Sequence, residues 1–186
     1  MVYEVWSTIQ KPRDGELETK TNFRLCAAIQ QSAALKSLPL RVDAETTLLE
    51  PSGDVIGRLD LRFTSGVALE EYFSFECKRL YAKKGKRTYS LVSDYLDEGM
   101  TRYVKSQYAP DRAQGGMIAY VHTGGVDRAI ATFRKALKRC FRKLEMCPPG
   151  EASCSRIRPA NTMILETSHQ RPASGSTFLI HHLFLV

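Results

Sequence analysis

Residues 54–63 read DVIGRLDLRF and residues 71–80 read EYFSFECKRL. Successive side chains of an extended chain point to opposite faces, so residues two apart share a face. In the first stretch this sets Leu59, Leu61 and Phe63 on one side and Arg58, Asp60 and Arg62 on the other. In the second it sets Phe73, Phe75 and Cys77 opposite Tyr72, Ser74, Glu76 and Lys78. Thr64-Ser65-Gly66 between them supplies turn residues. The pattern predicts two paired core strands, each with one apolar and one polar face.

Outward from this pair, residues 18–37 carry Phe23, Leu25, Ala28, Ile29, Ala33 and Leu35 at helical spacing, with Thr19 or Thr21 as caps and Pro39 beyond the end. Residues 41–49 read as a strand closed by Pro51-Ser52-Gly53. After the core strands the period turns helical again over 92–107, where Tyr95, Leu96, Gly99, Tyr103 and Val104 share a stripe. Gly115-Gly116 opens GGMIAYV, a short apolar run suited to a buried strand. Residues 126–144 predict an amphipathic helix turning Ile130, Phe133, Leu137 and Phe141 inward. A loop with three prolines over 147–159 precedes two strands, MILETSH and TFLIHHLFLV. The order α-β-β-β-α-β-α-β-β predicts an α/β fold with a mixed central β-sheet flanked by helices. A chain of 186 residues suits one domain over 1–186.

The composition, 43% apolar and 25% charged, is that of a folded protein rather than a disordered one. No apolar run reaches the length of a membrane span, and the first residues show no secretory pattern, so a cytoplasmic location is expected. The five cysteines are odd in number and lack a CxxC pair. Cys140, Cys147 and Cys154 recur at seven-residue spacing, yet reduced, incidental thiols are the better reading. The net charge of +7 is compatible with a polyanionic partner. Its distribution is more telling: Lys83, Lys84, Lys86 and Arg87 lie in one short run, and Arg134, Lys135, Lys138, Arg139, Arg142 and Lys143 load one helix. A solvated helix face is the competing reading for the second group.

The chemistry resides in the polar faces of the core strands. If the strands pair, Asp60, Glu76 and Lys78 converge at one end of the sheet. Two carboxylates with nearby carbonyl groups form a hard oxygen site suited to Mg²⁺. A bound metal lowers the pKa of a coordinated water and neutralises charge on phosphate oxygens. A lysine beside it orients the water or stabilises the transition-state anion.

Asp60 in RLDLRF, with Glu76 and Lys78 in YFSFECKRL, resembles the PD-(D/E)xK nuclease superfamily. The order helix, three strands, helix, strand over about 18–121 resembles that family's restriction-endonuclease-like core, leaving 122–186 as an extension with a helix and two added strands. Leu59 stands where the motif's name has proline. The resemblance implies Mg²⁺-dependent hydrolysis of phosphodiester bonds, usually in DNA, with Mn²⁺ as a substitute. It implies a metal held by Asp60, Glu76 and the Cys77 backbone carbonyl. It also implies an additional acid from the first helix, for which Glu18 is the candidate and Glu16 the second choice.

Further candidates for nucleic-acid contact are Arg102 on the 92–107 helix and, near the end, His169 and Arg171, each against a structural role. His181 and His182 must face opposite sides of a strand. A Ser/His hydrolase reading lacks a G-x-S-x-G elbow. The expected function is a DNA nuclease, for instance the effector subunit of a bacterial restriction or anti-phage system, with a larger partner or a homo-oligomer supplying the targeting. A non-catalytic nucleic-acid-binding or assembly subunit and an RNA-directed nuclease are the alternatives.

Overall fold

The computed structural model describes the chain apart from Asp14, Val67, Gly85, Lys86, Thr123 and Gly124, and apart from the side chains of Ala68, Leu69, Glu70 and Lys84. Lys86, expected to touch nucleic acid, lies outside the described residues, as does the side chain of Lys84. The fold is α/β. Among the described residues a mixed central sheet of seven strands is flanked by helices, in the order β1-β2-β3-β6-β9-β8-β7. The chain divides into two compact units, Met1–Cys77 and Lys78–Val186.

In the first unit, α1 (Val2–Thr8) and α2 (Glu18–Gln31) precede a short α3 (Ala33–Lys36). The single helix expected over 18–37 is interrupted at Ser32, whose extended backbone (ψ 141°) ends α2. The Ser32 hydroxyl accepts the Leu35 N–H at 3.2 Å, so serine caps a new helix rather than continuing the old one. The N-cap of α2 is Leu17, and neither Thr19 nor Thr21 caps it. Strands β1 (Leu40–Leu49), β2 (Val55–Ser65) and β3 (Ala68–Arg79) then form an antiparallel meander.

The apolar face is the one the alternation predicts. Leu59, Leu61 and Cys77 are fully buried, as are Val42 on β1 and Leu25 and Ile29 on α2. Each large aliphatic residue removed from water in this way contributes roughly 1.5–3 kcal/mol. Phe23, expected on the buried stripe of the helix, is instead 53% exposed, and Asn22 takes the inner position.

In the second unit, β4 (Tyr81–Lys84) and β5 (Arg87–Ser90) form a separate two-stranded ribbon, which the expected element order does not contain. Helix α4 (Val92–Asp94) runs through a π-helical turn, Tyr95–Met100, into α5 (Thr101–Val104). The expected stripe of Tyr95, Leu96, Tyr103 and Val104 is buried there. Strand β6 (Gln114–Tyr120) pairs parallel with β9 (Thr177–Leu185), which pairs antiparallel with β8 (Ile164–Gln170). The short β7 (Ser153–Cys154) adds to β8.

Helix α6 (Val126–Cys140) buries Ala129, Phe133 and Leu137. It ends four residues earlier than expected, and Phe141, expected inward, is 42% exposed. No helix among the described residues is long and apolar enough to cross a membrane.

Candidate functional site

The β2–β3 ladder pairs Thr64 with Tyr72, Phe63 with Phe73, Arg62 with Ser74 and Leu61 with Phe75. One further step along each strand brings Asp60 opposite Glu76. There the ladder gives way to a side chain: the Cys77 main-chain N–H donates to Asp60 Oδ2 at 2.6 Å. A carboxylate oxygen has thus taken a place where a backbone carbonyl would ordinarily stand. Charge-assisted bonds of this kind are short and strong. The bond holds one oxygen of Asp60 against β3.

Asp60 is half-buried, and Glu76 is 1% exposed. Both belong to the face that also carries Ser74, which is fully buried. Lys78, two residues beyond Glu76 on β3, lies on the same side by alternation and is half-buried. The strand pairing expected for Asp60 and Glu76 is therefore present.

The expected additional acid is not. Among the described residues no group of three His, Cys, Asp or Glu side chains is close enough to hold a metal ion. Glu18, the first residue of α2, does not join Asp60 and Glu76 as a third acid. Glu16 is engaged elsewhere: it forms an ion pair with Arg24 and accepts from the Thr21 hydroxyl at 3.3 Å. Burial works to raise the pKa of Glu16, but Arg24 outweighs it and the carboxyl sits below its usual range.

A metal-ion fit can still be judged from the donors. Mg²⁺ commonly takes one or two carboxylates and keeps several waters. Asp60 and Glu76 on one face match that need, and a closed protein cage of the kind structural zinc requires is not offered.

Sequence reasoning passed over Glu45. In β1, Ala44 faces Leu61 and Thr46 faces Leu59, so Glu45 stands opposite Asp60 in register. Its backbone is left-handed, with φ 55°. Glu45 accepts from Asn22 Nδ2 at 3.3 Å and pairs with Arg58 Nε at 2.7 Å. A glutamate at left-handed φ inside a strand is costly and is found where surroundings over-determine it. Nothing in the local sequence, DAETT, signals it.

The remaining expected contacts divide sharply. His169 and Arg171 are fully buried, which corrects their assignment to nucleic-acid contact. The Arg171 guanidinium donates to the carbonyls of Tyr103, Tyr108, Ala109, Pro110 and Arg112 at 2.8–3.1 Å and lies 3.7 Å from the Phe178 ring centroid. It ties together the backbone acceptors of the helix end and loop over 103–112.

His169 belongs to a buried hydrogen-bonded chain. Its Nδ1 lies 2.6 Å from the Leu144 carbonyl, which can only accept, so Nδ1 carries the proton. Nε2 then accepts from Thr167, at 2.7 Å. Thr167 Oγ1 in turn accepts from His182 Nε2 at 2.8 Å, and His182 Nδ1 accepts from the Tyr95 hydroxyl at 2.8 Å. One anchor fixes every proton in the chain. Burial pushes the His169 pKa down to about 4, against the raising effect of Leu144, and pushes His182 well below the usual range. Both rings are neutral scaffolding.

His181 faces the other side, as alternation requires. It bonds to Gln114 Oε1 at 3.0 Å and lies 3.4 Å from Glu166 Oε1. Arg102 Nη1 donates to the Tyr108 hydroxyl at 2.8 Å, which gives it a structural partner.

Among the basic residues, Lys83 and Arg87 are exposed on the β4–β5 ribbon, and Arg134, Lys135, Lys138 and Arg142 are exposed on α6 and its following turn. The cysteines are all free thiols, with Cys26 and Cys77 buried. No protein family, no curated protein and no solved structure matches the chain.

Proposed function

We propose that the chain is a metal-dependent nuclease that hydrolyses phosphodiester bonds of DNA, with a restriction-endonuclease-like core built on β1, β2 and β3. The observation that carries this reading is the opposition of Asp60 and Glu76 across two paired strands, with Lys78 next on the same face. Burial of Glu76 supports it. Holding a carboxylate out of water is costly, and clefts that bind cations are where such a cost is retained.

Asp60 and Glu76, with the Cys77 carbonyl, would hold Mg²⁺ or Mn²⁺. The metal supplies Lewis acidity toward a phosphate oxygen and a lowered pKa for bound water. The chain's own residues do the rest. The Cys77 N–H fixes the Asp60 carboxylate, so that its second oxygen is presented without loss of side-chain entropy on binding. Lys78 brings a compact positive charge to the phosphate as negative charge builds in the transition state.

The test is incubation of the purified chain with plasmid DNA, linear DNA and RNA, each with Mg²⁺, Mn²⁺ or EDTA. Cleavage that requires the metal and is lost in Asp60→Asn supports the reading. Metal-independent cleavage, or an unaffected variant, overturns it. Service as the effector of a restriction or anti-phage system, with a partner subunit or a second copy directing it, belongs to the same proposal. So does a cytoplasmic location.

A further inference from the structure

Helix α6 carries five basic residues and one acidic residue, and a solvated convex face would account for most such helices. The structure departs from that account at one place. Arg134, Lys135 and Lys138 form one wall of a groove of about 610 Å³, whose other wall is Glu151, Ala152, Ser153 and Cys154. Positions 134, 135 and 138 fall on one side of a helix across a single turn. Three cations therefore border one concavity, where their positive fields add.

The opposing wall contains an internal anion. Glu151 Oε1 lies 3.1 Å from Lys138 Nζ, with both side chains more than half exposed. An exposed pair of this kind is held weakly, so a stronger anion can displace the carboxylate. Ser153 and Cys154 form β7, whose exposed side chains border the same groove.

We infer that this groove seats a phosphodiester strand of DNA, with Arg134, Lys135 and Lys138 on successive phosphates and Glu151 acting as a competing counter-anion. The inference rests on the proposed nuclease function for its choice of ligand, and it assigns binding to residues other than Asp60, Glu76 and Lys78. A strand rather than a single nucleotide is favoured by the exposed Arg139 and Arg142 that continue the charge along α6 and its turn.

Binding is measured by fluorescence anisotropy of the full chain with a labelled DNA duplex and its labelled single strand, in EDTA, across a salt titration. Arg134→Glu with Lys135→Glu weakens binding about tenfold or more and flattens the salt dependence. Glu151→Gln does the opposite: it tightens binding several-fold and steepens the slope by about one, because Lys138 is released to a phosphate. A control pair, Arg41→Glu with Arg158→Glu, makes the same change in net charge on exposed arginines elsewhere and costs little.

Equal losses from the two reversal pairs would reduce the effect to net charge and overturn the inference. So would unchanged or weaker binding by Glu151→Gln. Failure of the nuclease reading is separately visible. In that case the groove variants behave as stated while no metal-dependent cleavage occurs in the parent protein.

Discussion

Asp60 reaches across from β2 to accept the main-chain N–H of Cys77 on β3 at 2.6 Å, just past the rung of their ladder at Leu61 and Phe75. The acid that the proposed chemistry needs is thus also a structural acceptor. Loss of charge and loss of the bond can be separated by mutation. Asp60→Asn keeps a side-chain oxygen for the Cys77 N–H. Asp60→Ala leaves that donor without it, at a cost of about 1–3 kcal/mol. Urea unfolding in EDTA should show Asn close to the parent and Ala clearly less stable. Equal stability of the two variants would contradict the bond's role.

Arg171 should prove to be a determinant of stability and not of nucleic-acid binding. Its guanidinium is buried against five carbonyls and the Phe178 ring. Arg171→Met removes all five bonds, with the Tyr103 and Ala109 carbonyls keeping the Ser106 and Arg112 N–H donors, and should cost on the order of 3–5 kcal/mol, as for other broken buried charge networks. Arg171→Lys should recover only part, because an ammonium cannot span the fork of the guanidinium. A chemical-denaturation midpoint within experimental error of the parent for either variant would contradict this.

These two residues mark what the sequence could and could not reveal. Asp60 was legible because strand alternation has period two and its neighbours Leu59 and Leu61 declare the apolar face. Arg171 was not. Its role depends on five carbonyls more than fifty residues away in sequence, and a lone arginine near a histidine reads equally as a ligand for phosphate. The break at Ser32 was missed because Ala33 and Leu35 keep helical spacing across it. The early end of α6 was missed for the same reason: Phe141 continues the stripe in sequence although the helix ends at Cys140. Glu45 lacked any signal, since left-handed φ is expected of glycine and not of glutamate.

The buried histidines predict acid lability. His169 and His182 are held below their ordinary range in the folded chain, so the unfolded chain binds protons more readily. Their contribution is fully present above about pH 6.5. It is lost progressively as pH falls toward about 4, where His169 titrates when folded. Unfolding free energy measured from pH 7.5 to 4.5 should therefore fall with pH. His182→Gln, which cannot take up a proton, should flatten that slope by about one proton. A slope unchanged by this substitution would remove His182 as a cause.

Gly115 should tolerate no side chain. A Cβ there would meet Tyr103 Cε1 at 2.6 Å and Phe178 Cζ at 3.1 Å. Those two rings are buried and stacked at 5.5 Å between centroids, so neither can step aside. Gly115→Ala should destabilise by about 1–3 kcal/mol, the usual cost of overpacking a filled core. Calorimetry showing an unchanged or raised Tm would mean that the stack yields more easily than its packing implies.

The central claim is that Asp60, Glu76 and Lys78 carry phosphodiester hydrolysis. The most direct measurement is the initial rate of plasmid cleavage in Mg²⁺ and in Mn²⁺ by the parent, Asp60→Asn, Glu76→Gln and Lys78→Ala, each first shown to fold by its unfolding transition. The account predicts cleavage by the parent that EDTA abolishes. It predicts losses of about a hundredfold or more in each variant, with Lys78→Ala still binding the metal. Three folded variants that cleave like the parent, or a parent inactive with both metals on DNA and RNA alike, would contradict it.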